Sequence, residues 1–252
     1  MVTPMKSVVI DSHVQIGSGE TWDDPKRPAE YDIGMIFERA AEAGIDRSCI
    51  SAVQSTTYSG SNRDVARLCA QYPDKLIGFA VHSPQREAGQ LRSLLMEEVK
   101  SMGLKGIKSD GHPTRELLDT AAELTVPVMY YPKTDSSTGL LTAFHMMASA
   151  YSSVNFILPH LGAFRSDPYP AHIEAIDLVK RHPNIHVETS GIPEHKYLEM
   201  AARELPAENI IFGSFAPELD PRVGMHAIRL LRLETEKENA VLGGNIRRLL
   251  HL

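Results

Sequence analysis

Short apolar runs alternate with helical patterns along the whole chain, and this alternation limits the possible folds more than any other feature of the sequence. Strands that alternate with helices form parallel sheets with crossover helices. Eight such pairs in 252 residues favour a closed barrel over an open sheet. The sequence therefore predicts an α/β fold, a single (β/α)8 TIM barrel spanning residues 1–252. Its expected strands are 8–10, 48–53, 76–81, 104–108, 126–131, 154–158, 185–188 and 210–212.

Several helical patterns carry their own start and stop signals. Ile33, Ile36 and Ala40 recur at the spacing of one buried helix face, and Gly44 is placed to end that helix. Thr114 is placed to cap the helix that follows strand four. The longest stretch without periodicity is 17–31, directly after strand one. We expect an irregular loop there, forming a lid or a wall of the pocket.

Charge and apolar content exclude several functional classes. The net charge of −6 is spread along the chain, which gives no basic surface for nucleic acid or anionic lipid. No apolar run reaches the length of about 18 residues that a membrane span needs, and no signal-peptide core is present at the N-terminus. Cys49 and Cys69 are expected to be buried thiols rather than a disulfide framework. These features fit a cytoplasmic location, and a small-molecule substrate or ligand is the expected partner.

Polar side chains stand where the predicted strands end, which in a TIM barrel is the catalytic face. Four of them are histidines, namely His13, His82, His112 and His160. Imidazole is a common metal ligand, so each of these is a candidate. The alternative for each single histidine is a hydrogen-bonded structural role.

Eight short motifs then follow one another in an order that is found in a known family. They are VIDSHVQIG (9–17), IGFAV (77–81), GLKGIK (103–108), PVMYY (127–131), FILPHLG (156–162), VETSG (187–191), IFGSFAP (211–217) and GNIRRLL (244–250). Together they resemble the amidohydrolase-related family, also called amidohydrolase 2, whose members are metal-dependent TIM-barrel hydrolases and decarboxylases. The resemblance covers nearly the whole chain and implies the amidohydrolase-like barrel.

The metal-site positions of that family are only partly kept. The resemblance places metal-site histidines twice on strand one, once each on strands five and six, and an aspartate on strand eight. Here His13 and His160 remain, whereas Gln15, Tyr131 and Phe215 stand at the other positions. In such enzymes the aspartate accepts a proton from metal-bound water, which phenylalanine cannot do. We therefore expect either one divalent metal on His13 and His160, with zinc first, or none.

Two functions from different classes remain open. The first is an enzyme that hydrolyses an ester, lactone or amide of a small acidic or cyclic compound, or decarboxylates it. Its metal would gain ligands from His82, His112, Glu188 or Glu218. A metal-free site would instead use His160, Lys108, Glu188 and Tyr131 for catalysis. Gln15, His82, His112 and Phe215 would bind the substrate. For Lys108 the structural alternative is an ion pair with Asp11 or Glu188.

The second function is a non-catalytic barrel. Such a pseudoenzyme would serve as the partner subunit of an active paralogue or as a binder of small ligands. The sequence predicts an oligomer in either case, a homo-oligomer or a hetero-oligomer with the paralogue. A stable complex with a second barrel subunit would favour this function, whereas loss of activity on His160→Ala or His13→Ala would favour the enzyme.

Overall fold

A computed structural model describes residues 7–21, 26–130, 139–162 and 171–252. These residues form one mixed α/β unit around a single sheet, in which nine strands lie in the order β2-β1-β3-β4-β5-β6-β7-β8-β9. All neighbouring strands are parallel except the antiparallel pair β1 and β2. The strands are β1 Ile10–Glu20, β2 Pro28–Tyr31, β3 Arg47–Ala52, β4 Leu76–His82, β5 Gly106–Ser109, β6 Val128–Tyr130, β7 Phe156–Leu158, β8 Ile185–Glu188 and β9 Ile210–Ile211.

The helices occupy the predicted places between the strands. Gly44 ends the first helix with φ 75°, and the Thr114 hydroxyl accepts from the Leu117 N–H at 3.4 Å at the start of the fourth. In the described ranges no helix has the length and apolar character to cross a membrane. The helices are α1 Ile33–Ala43, α2 Ser59–Gln71, α3 Leu91–Met96, α4 Arg115–Leu124, α5 Gly139–Ala150, α6 Ala171–Arg181, α7 His195–Glu204, α8 Pro221–Leu230, α9 Thr235–Asn239 and α10 Asn245–Leu249.

The sheet is curled, so that the chain after its last strand returns to the first. Ser12 N–H donates to the Phe212 carbonyl at 3.1 Å, and Gln15 N–H donates to the Ala216 carbonyl at 2.7 Å. Strand residues on one face pack against the helices in the main apolar core. Strand residues on the other face pack with three residues near the C-terminus in a second cluster. It comprises Ile10, Cys49, Ile77, Phe79, Met129, Ile157 and Ile211 from the strands, with Ile246, Leu249 and Leu250. Cys49 is a buried free thiol and Cys69 a partly buried one, as expected.

The stretch 17–31 corrects one prediction. Residues 17–20 continue β1 and pair with β2, with Gly17 opposite Tyr31, instead of forming an irregular loop. Glu218, which is 3% exposed, accepts hydrogen bonds from the side chains of Arg27 and Tyr31. This ribbon is held by backbone bonds and one carboxylate, and its side chains lack the apolar alternation by which a strand is recognised in a sequence. Residues 22–25 of this stretch lie outside the described ranges.

Candidate active site

A cavity of about 240 Å³ opens at the carboxyl ends of the parallel strands. Its walls come from β1, β5, β6, the turn after β7 and the segment after β9, which is where a barrel of this kind carries its active site. Five residues predicted for the site meet there. The lining residues are His13, Lys108, Ser109, Asp110, Gly111, His112, Tyr130, Pro159, His160 and Phe215.

A bulge in β1 turns His13 into this cavity. Asp11 is paired with Ser48 and Val14 with Ile50, so β1 has one residue more than β3 over this span. Asp11 and Val14 consequently both face α1. Asp11 accepts hydrogen bonds from the backbone and the hydroxyl of Ser214, and burial raises the pKa of Asp11 to about 7. The ion pair between Lys108 and Asp11, one of the two predicted for Lys108, is therefore wrong.

Lys108, His13 and Glu188 form a hydrogen-bonded row across the interior. Lys108 Nζ lies 3.0 Å from His13 Nε2, and His13 Nδ1 lies 3.2 Å from Glu188 Oε2. Because the carboxylate accepts a hydrogen bond, the imidazole proton lies on Nδ1 and Nε2 accepts from the lysine. Burial lowers the pKa of Lys108 to about 7, although the charges of Glu188 and Asp110 raise it. Burial, and then the lysine charge, hold the pKa of His13 well below its usual value.

Glu188 is fully buried and receives hydrogen bonds on both oxygens. Oε1 accepts from Ser190 N–H at 2.6 Å, and Oε2 accepts from the Ser190 hydroxyl at 2.8 Å and from His160 N–H at 3.2 Å. Burial raises the pKa of Glu188, whereas His160 and these donors lower it. Gly213 makes room for the carboxylate, since a Cβ there would lie 2.3 Å from Oε1. The carboxylate is thus fixed in position before any ligand binds.

His160 and Phe215 both have left-handed backbones, with φ of 58° and 61°. Such residues cost free energy and are concentrated at functional sites. The His160 Nδ1 lies 3.1 Å from the Ser190 carbonyl, and burial lowers the pKa of His160 to about 3, so the ring is neutral. The Phe215 ring centroid lies 4.9 Å from the His13 and His160 centroids. Phe215 therefore forms an apolar wall beside both imidazoles.

Tyr130 and His112 lie farther along the cavity wall. The Tyr130 hydroxyl is 3.5 Å from His112 Nδ1, and the rings meet edge to face at 5.7 Å. Burial raises the pKa of Tyr130 to about 12, so the hydroxyl keeps its proton. His112 is exposed and lines the cavity beside Tyr130.

His82, predicted both as a metal ligand and as a substrate contact, lies outside this cavity and requires a correction. Its fully buried ring contacts Glu87 at 3.0 Å and Glu98 at 2.6 Å, so both nitrogens are engaged. The strand register explains this position, because Val81 is paired with Lys108. The next residue along β4 points to the opposite face, where the helices pack. His82 is therefore a structural residue.

Two other predicted residues have different outcomes. Gln15 is completely buried on the same alternation of β1 as His13, and neither the nitrogen nor the oxygen of its side-chain amide has a hydrogen-bond partner among the described residues. It is absent from the cavity lining. Tyr131, predicted as catalytic, lies outside the described residues. The role of each stays a prediction.

His13, His160 and Glu188 bring three potential metal-donor atoms within 4.8 Å of one another, the one such group among the described residues. By donor number this is a possible site for a divalent metal. The donors are already engaged, however, because Lys108 occupies His13 Nε2 and both Glu188 oxygens accept hydrogen bonds. A dication would have to displace these partners and lie beside a lysine that carries a positive charge when protonated. The observed arrangement does not fit a resident metal.

Three residues that matter here were not predicted as site residues. Ser190 joins His160 to Glu188, Gly213 leaves space for the carboxylate, and Tyr130 lines the cavity. Tyr130 and Ser190 could have been identified from the sequence, because both stand where a predicted strand ends. For Gly213 the sequence offers only its place in a family motif, since the close approach of the Glu188 side chain to its backbone is visible only in the tertiary structure.

The sequence profile of the amidohydrolase family matches residues 10–252. No curated protein matches the chain. Solved structures similar to it include 2,6-dihydroxybenzoate decarboxylase from Rhizobium, with TM-score 0.73, 17% identity, and coverage of 97% of this chain and 99% of that one. The structure of 5-carboxyvanillate decarboxylase from Sphingomonas paucimobilis has TM-score 0.76 and 15% identity, with coverage of 98% of this chain and 99% of that one. The structure of dihydroxybenzoic acid decarboxylase from Polaromonas, with bound manganese and 2-nitroresorcinol, has TM-score 0.74 and 16% identity, with coverage of 98% of this chain and 97% of that one. At these identities the likeness shows the fold.

Proposed function

The chain belongs to the amidohydrolase family, and from this premise we propose that it is an enzyme that decarboxylates a small cyclic or aromatic carboxylic acid. Its scaffold in this proposal is a closed (β/α)8 barrel, supported by the hydrogen bonds between β1 and residues 212–216. The predicted oligomer, the partner subunit and the cytoplasmic location stay predictions.

The observation that carries the proposal is the pairing of an aromatic wall with a buried amine in one small cavity. An apolar cavity of about 150 Å³ suffices for benzene, so 240 Å³ is sufficient for one substituted ring. Phe215 and Tyr130 offer ring faces, and Lys108 is the buried cation that would attract a carboxylate.

Decarboxylation suits these side chains better than hydrolysis. Hydrolysis needs a base that takes a proton from attacking water, and Phe215 stands where the family has its aspartate. Decarboxylation needs positive charge near the electrons left on carbon and a proton for that carbon. Lys108 and His13, joined at 3.0 Å, can supply both. The decarboxylase names of several structural neighbours agree with this choice.

We propose further that the enzyme works without a resident metal. The support is that His13 and Glu188 are hydrogen-bonded on every donor atom and that Lys108 already supplies a cation. Metal analysis of untagged protein by mass spectrometry should find well under one metal per chain after dialysis without chelator. Near-stoichiometric zinc, manganese or iron would overturn this part of the proposal and make zinc or another metal part of the site.

The activity itself is tested by release of carbon dioxide. Chelator-treated protein is incubated with 2,6-dihydroxybenzoate, 5-carboxyvanillate and simpler cyclic keto acids, and carbon dioxide is measured. We expect turnover of at least one acid and a loss of about 100-fold or more in His13→Ala, because His13 is one of the two side chains that would supply charge and a proton. His226→Ala, an exposed histidine on α8, is the control and should keep full activity. If no acid in the panel releases carbon dioxide, or His13→Ala remains as active as His226→Ala, the proposal is wrong.

A further inference from the structure

We propose that Lys108 is a nucleophile that captures the ketone carbon of a β-keto carboxylic acid as an imine. This inference deepens the proposed function, on which it rests, by naming the substrate class and the bond through which it is held. The feature that carries it is the row of amine, imidazole and carboxylate at the base of the cavity.

The row has the geometry of an activated nucleophile. Such sites place a nucleophile within hydrogen-bond reach of a base, and a third group orients the base. Here the Lys108 amine lies 3.0 Å from His13 Nε2, and Glu188 holds the other imidazole nitrogen at 3.2 Å. All three side chains are buried, and Glu188 is fixed by two donors from Ser190. His13 is therefore positioned to take a proton from the amine.

The surroundings of the amine favour condensation with a carbonyl group. Lys108 Nζ lies 5.9 Å from the centre of the Phe215 ring, and the cavity it faces is also lined by Pro159 and Tyr130. A lysine desolvated in an apolar pocket is a recognised route to an amine nucleophile. Condensation of the amine with the ketone gives off one water molecule, and hydrolysis of the imine at the end consumes one.

The steps balance without an added oxidant or reductant. The amine nitrogen attacks the ketone carbon, and the proton lost from nitrogen reaches the ketone oxygen by way of His13. A second proton, taken from solvent, protonates that hydroxyl, so that water leaves and an iminium ion remains. The bond from the α-carbon to the carboxylate then breaks, carbon dioxide leaves, and the electron pair passes into the iminium to give an enamine. A proton from solvent is added to the α-carbon, which restores an iminium ion. Water then hydrolyses this ion to the ketone and the free amine and releases one proton, so the whole cycle consumes one proton for each carbon dioxide formed.

The same chemistry explains why the carboxylate must be β to the ketone. Only there does the electron pair released by decarboxylation reach the iminium nitrogen through one intervening carbon. A ring ketone with a neighbouring carboxylate satisfies this requirement and matches the cavity of about 240 Å³. A carboxylate attached directly to the carbonyl carbon would leave its electrons where the nitrogen cannot accept them.

Reductive trapping tests the inference. The full chain is incubated with 2-oxocyclohexanecarboxylate or acetoacetate, sodium borohydride is added, and the modified residue is located by peptide mass spectrometry. Carbon dioxide release is recorded in parallel. We expect an adduct on Lys108 that requires both the keto acid and borohydride. Lys108→Met should carry none, whereas Lys105→Met, an exposed lysine just before β5, should be trapped like the parent protein.

The two readouts separate this inference from the proposed function. An adduct on Lys108 without carbon dioxide would support the imine site and overturn decarboxylation. Carbon dioxide from keto acids without an adduct on Lys108 would overturn the imine and leave decarboxylation standing. Labelling spread over exposed lysines, with Lys108→Met trapped to the same extent, would overturn the inference, as would neither adduct nor carbon dioxide. Acetylacetone gives an independent check, because its conjugated adduct with an amine absorbs light without reduction. The adduct should form in the parent protein and in Lys105→Met but not in Lys108→Met.

Discussion

Replacement of Lys108 by methionine should stabilise the protein while removing its function. Burial lowers the pKa of this lysine from 10.5 to about 7, so the folded chain holds the ammonium at a cost of about 5 kcal/mol. Methionine fills similar volume without a charge. The acceptor left without a donor, His13 Nε2, costs about 1 to 3 kcal/mol. The balance is a gain of about 2 to 4 kcal/mol in the free energy of unfolding at pH 7.

The gain should depend on pH in a defined direction. The folded pKa of Lys108 lies below the unfolded one, so the unfolded chain binds more protons between about pH 7 and 10.5. The buried lysine therefore costs no stability above pH 10.5. The cost grows as the pH falls from 10.5 and reaches its full size below about pH 7. Between pH 7 and pH 9 the parent protein should recover about 2 kcal/mol relative to Lys108→Met.

Urea unfolding at pH 7 and pH 9, followed by far-ultraviolet circular dichroism, measures both effects. Lys105→Met serves as the control and should change the free energy of unfolding by less than about 0.5 kcal/mol at either pH, because its side chain is exposed. Destabilisation of Lys108→Met at pH 7 would refute the reasoning. A gain of the same size at both pH values would refute it too, since the lysine would then not be held with a lowered pKa.

Three further predictions concern the surroundings of the site. Relative to the parent protein, His82→Gln should gain about 2 kcal/mol of stability between pH 7 and pH 9. Burial lowers the pKa of His82, but Glu87 and Glu98 raise it to about 9, so the charged ring stabilises the parent fold only below that value. Gly213→Ala should lower activity about 10-fold or more and stability by about 1 to 3 kcal/mol, since the new Cβ would lie 2.3 Å from Glu188 Oε1. Together, Gln15→His, Tyr131→His and Phe215→Asp should raise affinity for zinc or manganese by orders of magnitude in calorimetry.

Each of these has a matched control and a contrary outcome. His186→Gln, a buried histidine whose pKa is lowered to about 4, should leave the slope above pH 7 unchanged. An unchanged slope in His82→Gln as well would contradict the assigned ion pairs. Gly224→Ala, a helical site where the nearest atom is 3.4 Å away, should be harmless, and equal harm at both glycines would argue against the role of Glu188. No gain of metal affinity in the triple variant would mean that these positions no longer converge.

The sequence was sufficient for the order of the elements, because that order depends on local signals. The apolar runs and helical faces predicted the eight parallel strands, and Gly44 and Thr114 marked helix ends that the structure has at the same positions. These signals act within one turn or one strand, so they can be read without knowledge of the fold. The ribbon of β2 was missed because its side chains carry no apolar alternation.

The sequence also indicated which side chains stand at strand ends, but not which of them converge. A strand end determines the edge of the sheet, whereas strand register and bulges determine the face. The bulge in β1 turns His13 inward and Asp11 outward, and the register of β4 turns His82 away from Lys108. No local pattern records either feature, since both arise from pairing with a neighbouring strand.

The family was thus determined by the sequence, since motifs are strings of residue types. Only the tertiary structure decided that Lys108, from the fourth predicted strand, donates to His13 from the first, and that Glu188 from the seventh holds the same ring. These contacts span 95 and 175 residues of chain. The burial of an amine, and with it the fall of its pKa to about 7, depends on how the whole sheet curls around it.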